Sequence, residues 1–318
     1  MSIFDGFVGN LESKDVIALI GLGLDTGGEE WVASISNEIE SDQESEQYVW
    51  LGTAPSMRPW TGGRQPDTLR ENDYRVYNKD FEATLEIKID WLRRDKTGQI
   101  QLRINQLVES ANLHDAELLS ALILVAGSTV CYDGQYFFDT DHQEGDSPSQ
   151  ANMTTHTSSI GSTGVTAAEF GDALITAIQN MLLLKDDRGR PMNQSAKRFL
   201  LMVPVALMKA AYTALGADII LSGGQSQTNI VKAVGSYGGF IFDVVTNARL
   251  TWTDKFVLFR QDAAAKPFVK QIEVPLQVSA LAEGSEEEFK NKRHLYGVNR
   301  TMNFGLGMWQ GAYQMQFV

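Results

Sequence analysis

The fold is decided by a short stretch, residues 78–90, which reads NKDFEATLEIKID. Apolar and polar side chains alternate strictly over residues 81–89, with the period of two that a β-strand with one buried face requires. Residues 74–77, just upstream, carry the opposite phase, so a bulge or twist is predicted at residues 78–79. The stretch therefore predicts a long strand that returns from an irregular segment.

The segment before this strand predicts a long loop. Tyr48 to Leu51 form a brief apolar run, and residues 52–73 hold three prolines and several glycines without a regular pattern. Loops longer than about 15 residues without secondary structure usually serve an interaction in compact domains. Residues 47–90 together predict a two-stranded excursion with a ragged tip. A lone hairpin of that length is marginal in water, so it should lean on a surface outside its own fold.

The sequence after the strand changes period. Apolar residues recur at steps of three and four from Gln99 to Gly127, which predicts an amphipathic helix about 40 Å long. Residues 166–169 (TAAE) form a capping box that begins a second helix. A third helix is predicted from Pro204 to Gly216 and a charged, solvated one within 283–293. Strands are predicted at 199–203, 240–245, 250–253, 256–259 and 268–281, with a loop at 222–228. Helices mixed with largely antiparallel strands indicate the α+β class.

Composition and charge argue against two classes of function, nonspecific nucleic-acid binding and membrane insertion. The 318 residues are 43% hydrophobic and carry a net charge of −13, which argues against nonspecific binding to a nucleic-acid backbone. Eleven acids and one lysine fall within residues 1–48, whereas the balance reverses over 49–79. We interpret this asymmetry as an acidic arm and a basic loop that meet on neighbouring copies. No apolar run approaches the ~20 residues that a membrane span needs.

Three stretches could carry chemistry (21–28, 139–142 and 283–293), and none forms a complete constellation. Opposite charges at helical spacing in the third indicate a solvated helix. Gly21 to Gly28 resembles a dinucleotide loop but lacks a following buried strand. Asp139, Asp141 and His142, with Asp146 and His156 nearby, could ligate a metal or serve a hydrolase, although such clusters in polar loops are commoner as turn formers. The single cysteine, Cys131, lies in a strand-like run and is expected to be buried and inert. The sequence therefore predicts no enzyme, no metal and no cofactor.

Two blocks of sequence carry a family resemblance. The first comprises Trp50-Leu51-Gly52, Arg58, Trp60, Asp73-Tyr74 and the string NKDFEAT at 78–84; the second is CYDGQYFFDTDH at 131–142. Both resemble the Mu-like phage major head subunit, and together they cover about a fifth of the chain. The order of elements agrees along nearly the whole length.

The resemblance implies the HK97 fold of tailed-phage head proteins. The expected parts are an N-terminal arm (1–46), an E-loop hairpin (47–95), a P domain with a long spine helix (96–165), an A domain (166–265) and a P-domain completion with the C-terminus (266–318). The implied function is that of a major capsid protein, which assembles into an icosahedral shell around double-stranded DNA.

The resemblance also implies contacts and partners. Each subunit would lay its E-loop over one neighbour and its arm under another. The candidate contact residues are Trp50, Arg58, Trp60, Arg64, Arg70, Lys79, Phe81 and Leu85. The expected partners are further copies in pentameric and hexameric capsomers, a scaffolding protein, a head protease, a portal, a decoration protein and packaged DNA bound without sequence specificity. Assembly is expected in the host cytoplasm, and the product is the virion capsid.

Three other functions remain open on the sequence. An encapsulin-like nanocompartment shell would have the same fold but carry cargo enzymes instead of a genome. A metal-dependent hydrolase centred on Asp139, Asp141 and His142 belongs to a different class. A phage adaptor or tail component would form small rings.

Overall fold

The structure, a computed structural model, describes residues 13–24, 27–48, 74–94, 98–222 and 224–318. The helices of these residues are α1 (Ser13–Leu24), α2 (Glu30–Ile35), α3 (Ile89–Arg94), α4 (Gln99–Val125), α5 (Ala167–Leu183), α6 (Met208–Gly216), α7 (Ile230–Gly238) and α8 (Glu286–Asn291). The strands are β1 (Ser36–Glu40), β2 (Ser45–Gln47), β3 (Arg75–Tyr77), β4 (Lys79–Lys88), β5 (Met153–His156), β6 (Arg198–Val203), β7 (Ile219–Ser222), β8 (Gln225–Thr228), β9 (Ile241–Thr246), β10 (Lys255–Arg260), β11 (Phe268–Leu281), β12 (Arg293–Leu306) and β13 (Ala312–Phe317). The mixture confirms the α+β class. In these ranges no helix combines the length and the apolar character that crossing a bilayer requires.

The alternating stretch forms the edge of a four-stranded sheet with the order β1-β11-β12-β4. Strand β4 covers residues 79–88, and the predicted break falls at Asn78, between β3 and β4. Strand β4 pairs antiparallel with β12 from Lys79↔Met302 to Lys88↔Arg293, a partner that the sequence pattern did not predict. At the base of the predicted two-stranded excursion, the described residues pair as β2 with β3, and the rest of the excursion lies outside the described residues. The alternation of apolar residues changes phase at Asn78, where the chain passes from the β2–β3 pair to the β4–β12 pair.

Helix α4 confirms the predicted long helix and connects two hydrophobic cores. Near its start, Ile104 and Val108 pack with α1 against the four-stranded sheet, in the smaller core. Near its end, Leu119 and Ile123 pack in the larger core, which the second sheet fills. Helix α4, which is 27 residues long, therefore contributes side chains to both cores and connects the two sheets.

The segment predicted as an arm packs on its own chain wherever it is described. Val16 and Ile20 of α1 are fully buried in the smaller core, and Trp31 lies in the larger one. Strand β1 pairs parallel with β11, from Ser36↔Phe268 onward. Residues 36–40 form a strand because the β11 edge offers a backbone ladder that this segment completes. A contact of the arm under a neighbour stays a prediction.

The second sheet has the order β5-β13-β10-β6-β9 and lies in the larger core. Its central strands β6 and β10 are almost wholly buried, as the apolar run 199–203 predicts. The capping box of α5 is confirmed: the Thr166 backbone N–H donates to Glu169 Oε2 (2.8 Å), and the Glu169 N–H donates to Thr166 Oγ1 (3.3 Å). Strands β5 and β13 join this sheet from outside residues 166–265, so sheet pairing crosses the predicted domain boundaries.

Two short segments differ from their predictions. No strand forms at 250–253, because Asn247 Oδ1 accepts the Arg249 backbone N–H (2.9 Å) and turns the chain. The predicted loop at 222–228 is largely strand β8, which pairs with β7 in a two-stranded hairpin. Polar side chains such as Gln225 hide such a strand from a search for apolar alternation.

Candidate subunit-contact surfaces

The residues that flank segment 49–73 meet at one small base, which we call the loop stem (residues 45–48, 74–78 and Gln271). Strands β2 and β3 pair there, and the Tyr48 backbone N–H donates to the Tyr74 carbonyl (3.3 Å). The Tyr48 hydroxyl donates to Gln271 Oε1 (2.6 Å), and Gln271 Nε2 donates to Asn78 Oδ1 (2.8 Å). The two ends of segment 49–73 are thereby held side by side on strand β11.

Hydrogen bonds attach the loop stem to the four-stranded sheet. Burial raises the pKa of both Tyr48 and Tyr74 far above the ordinary tyrosine value, so both phenols stay neutral. The Tyr74 hydroxyl oxygen accepts the Leu306 backbone N–H (2.6 Å). Asn78 Nδ2 donates to the Gln43 carbonyl (2.8 Å) and to Glu273 Oε2 (3.0 Å). Side chains from β11 and a backbone group of β12 therefore fix the stem to the four-stranded sheet.

The predicted contact residues divide into two groups. Five lie outside the described residues: Trp50, Arg58, Trp60, Arg64 and Arg70. The other three lie on β4, where Lys79 is exposed while Phe81 and Leu85 are half-buried. Phe81 packs edge-on against His114 of α4, with ring centroids 4.4 Å apart, and Leu85 packs in the smaller core. Phe81 and Leu85 thus have packing roles within the chain, and their contact with a neighbour stays a prediction.

A charged network ties α4 to three strands of the first sheet. Asp115 contacts Arg300 of β12 through Oδ1 (2.5 Å) and Lys270 of β11 through Oδ2 (3.0 Å). Lys270 also pairs with Glu38 of β1 (2.9 Å). Burial lowers the pKa of Lys270, but the charges and hydrogen bonds of Asp115 and Glu38 outweigh that effect and raise it overall. Sequence reasoning missed this network, because Glu38, Asp115, Lys270 and Arg300 are at least 30 residues apart in the sequence.

His114 completes the network as a neutral acceptor. The Arg300 guanidinium donates to His114 Nδ1 (3.2 Å from Nε). Burial lowers the pKa of His114, and the positive charge of Arg300 lowers it further, while Asp115 and Glu117 act in the opposite direction. A proton on His114 would remove the acceptor and place two cations in contact.

This arrangement predicts a pH dependence of stability. The unfolded chain binds a proton at His114 near pH 6.5, whereas the folded chain resists it. Its contribution to folding is therefore complete above about pH 6.5 and declines as the pH falls from there to the lowered folded pKa. We expect the melting temperature to drop less between pH 7.5 and pH 5.5 in His114→Gln than in the wild type. Thermal unfolding of isolated subunits at three pH values measures this, and equal drops would contradict it.

Side chains of segment 131–142 are engaged in packing and turn formation. His142 is fully buried, its Nδ1 lies 2.6 Å from Asp133 Oδ2, and its ring stacks on Trp309 at 4.0 Å. Asp139 accepts backbone N–H groups of Tyr136 (3.2 Å) and Thr140 (2.7 Å). Burial also raises the pKa of the Cys131 thiol well above its usual value, as expected for an inert cysteine.

The geometry does not favour the metal-dependent hydrolase. Asp141 is exposed while His142 is buried, and Asp139 is engaged in the turn. His156 lies on β5 against Phe317, with ring centroids 6.1 Å apart. In the described part of the chain, no three His, Cys, Asp or Glu side chains are grouped as a metal site needs.

Several large apolar side chains are exposed on the elements that follow β6, and we call this group of residues the A-region surface. Its members are large apolar side chains with 43–93% of their area exposed: Val205, Met208, Tyr212, Ile219, Leu221, Tyr237 and Ile241. Val205, Met208 and Tyr212 follow each other at steps of three and four, so they share one face of the turn that continues into α6. Large apolar side chains that share an exposed face in this way are typical of protein contacts. The signal in the sequence was the pair Ile219 and Leu221, two apolar residues one strand period apart.

Comparison with known proteins first defines the class. The fold is similar to that of the mature capsid of bacteriophage PhiM1, with a TM-score of 0.58 at 12% identity over 100% of this chain and 92% of that one. The chain therefore has the HK97-like fold of phage capsid proteins, as the resemblance implies.

The family is more specific. The family model for the Mu-like prophage major head subunit gpT matches residues 22–170 and 242–317, well over half of the chain. The chain belongs to this family. It is 34% identical over 137 residues to the Mu-like prophage FluMu major head subunit of Haemophilus influenzae (42% of this chain, 44% of that one). It is 32% identical over 108 residues to the major capsid protein of Escherichia phage Mu (34% of this chain, 35% of that one). The matched stretches thus span less than half of each relative's length.

Proposed function

We propose that this chain is the major capsid protein of a tailed phage, which assembles with copies of itself into the shell that encloses the genome. Membership of the head-subunit family supports this function over a nanocompartment shell. The observation that carries it is the A-region surface, which no part of the described chain covers. A subunit that is complete only among its copies needs such a surface.

The mechanism of assembly is mechanical. The loop stem presents segment 49–73 from a rigid base, so little conformational entropy is lost at the base when the loop meets a neighbour. The A-region surfaces of adjacent copies bury one another around the axis of a five- or six-membered ring. Arginines of segment 49–73 pair with acids of the adjacent copy and set the register more than the affinity.

The other partners follow from the same function. A scaffolding protein, a head protease and a portal act during assembly in the host cytoplasm, and a decoration protein binds the finished virion. The net charge of −13 suits a shell that encloses packaged DNA without binding it tightly, because the negative subunit repels the DNA phosphates.

Electron microscopy of the purified protein tests the proposal. At assembly-permitting salt, with and without the scaffold, the wild type should form shells, capsomers or tubes visible in negative stain. The double variant Ile219→Ser/Leu221→Ser should remain largely unassembled, because these side chains are 65% and 70% exposed and serve contacts rather than the core. Its melting temperature should match that of the wild type. Uniform wild-type monomers, even with the scaffold co-expressed, would contradict the proposal.

A further inference from the structure

A groove lies beside the outer strand of the five-stranded sheet, between β5 and the end of α5. We call it the β5 groove, and its lining residues are 148–151, 153–154, 180, 183–185 and 313. Its volume is about 380 Å³, which falls within the range of pockets that hold small molecules. Leu183, which belongs to the lining, is 71% exposed and presents an apolar side chain to solvent. The groove therefore has the size of a binding site.

Strand β5, which forms one wall of the groove, is an outer strand of its sheet. It pairs with β13 on one side, and no strand of the described residues pairs with its other side. The Asn152 carbonyl accepts the Gln314 backbone N–H (2.9 Å), so the backbone groups of Met153 and Thr155 alternate toward the free side. A free strand edge is a template on which an extended peptide adds as a further strand.

Two polar side chains of the groove have unused hydrogen-bonding or charge capacity. Tyr313 is 1% exposed, and its hydroxyl oxygen accepts the Asn180 amide (2.9 Å). Burial raises the pKa of Tyr313, so the hydroxyl keeps its hydrogen, for which the described residues provide no acceptor. Lys185 is the one charged residue in the lining, and its ammonium forms no ion pair with the described residues. A donor and a free cation in one groove favour a ligand that carries a carboxylate.

The acid-rich segment of this chain is already paired within its own subunit. Strand β1 pairs with β11, and β2 pairs with β3. A second copy would have to break one of these ladders to place the same segment on β5. An acidic segment of a separate protein breaks none of them, and its charge complements Lys185.

We propose that the β5 groove binds an extended acidic peptide of a separate protein. The peptide adds as a strand to the free side of β5, an apolar side chain lies against Leu183, and a carboxylate pairs with Lys185. Backbone hydrogen bonds supply the affinity, and Lys185 selects for negative charge. The inference goes beyond the proposed function, since assembly of the shell does not require this partner.

Binding of labelled peptides to the isolated subunit tests the proposal. The probe is a fluorescein-labelled peptide of four valine–glutamate repeats, and fluorescence anisotropy measures its affinity. A peptide with lysine in place of glutamate should bind at least ~10-fold more weakly, because it repels Lys185. A glutamate peptide that is N-methylated at alternate backbone nitrogens should weaken by a similar factor, because it cannot pair with β5. Equal affinities of the glutamate and lysine peptides, or no binding of either, would overturn the inference.

Two substitutions locate the bound peptide. Thr155→Pro removes a backbone N–H on the free side of β5 and breaks no bond to β13, so affinity should fall at least ~10-fold at an unchanged melting temperature. Lys185→Glu should reverse the preference between the two peptides. The matched control Lys209→Glu makes the same charge change at an exposed position on α6 and should keep the wild-type preference. Wild-type affinity in Thr155→Pro, or wild-type preference in Lys185→Glu, would contradict the proposed site.

Assembled particles distinguish a separate partner from a neighbouring copy. If particles bind the glutamate peptide as tightly as isolated subunits do, the β5 edge is open to a separate protein, as proposed. Loss of binding on assembly would show that a neighbouring copy covers β5 and would overturn the inference. Failure to form particles would instead count against the proposed function, while the measurements on isolated subunits would still decide whether the groove binds an acidic peptide.

Discussion

Gly307→Ala is expected to abolish folding of the subunit or to lower its stability by at least about 3 kcal/mol. A Cβ atom at Gly307 would lie 2.6 Å from the Lys266 carbonyl oxygen and 3.0 Å from the Pro267 carbonyl oxygen. Both are backbone atoms that cannot rotate away. The Gly307 N–H donates to that same Pro267 carbonyl (2.7 Å), so moving the strands apart also breaks this bond.

Soluble yield and thermal unfolding measure this effect. The matched control is Gly21→Ala on α1, where nothing lies within 4 Å of the added Cβ. Because alanine favours a helix interior, this control should gain about 0.5–1 kcal/mol. A Gly307→Ala protein with the yield and melting temperature of the wild type would show that the connection from β12 to β13 is looser than described.

Asp115→Asn is expected to lower the free energy of unfolding by about 2–4 kcal/mol, the scale for breaking a largely buried ion pair. The substitution keeps the shape of the side chain but removes its charge. Arg300 and Lys270, whose side chains are only 10% and 16% exposed, then face each other without the carboxylate between them. The connection of α4 to β11 and β12 should weaken most.

Urea unfolding of isolated subunits measures the loss. Glu117→Gln is the control, since Glu117 is an exposed acid on the same helix and should change stability by less than about 0.5 kcal/mol. If both variants lost the same free energy of unfolding, the specific ion pairs of Asp115 would contribute no more than any acid on the helix.

Much of the fold could be predicted from local patterns. The period of two over 81–89, the helical period after Gln99 and the capping box at Thr166 each correspond to an observed element. Such patterns report which side of a segment is buried, and that suffices to distinguish helix from strand. They do not report the partner of a strand. Strand β4 was therefore assigned to a hairpin, although it pairs with β12 some 200 residues later in the chain.

The contact surfaces were predicted less completely, for a physical reason. Phe81 and Leu85 have the apolar character of interface residues, but the same character suits the core in which the structure places them. The Asp115 network joins residues from four distant elements, so no local spacing could indicate it.

The loop stem has a consequence for the order of events on the ribosome. It requires Gln271, which lies about 220 residues after Tyr48, so it cannot form until most of the chain has been synthesised. The same holds for β1, whose ladder partner is β11. Nascent chains therefore carry segment 49–73 without its support, and the apolar side of α1 waits for the sheet that covers it. Contacts that rely on the loop stem can therefore form only after most of the chain has been synthesised.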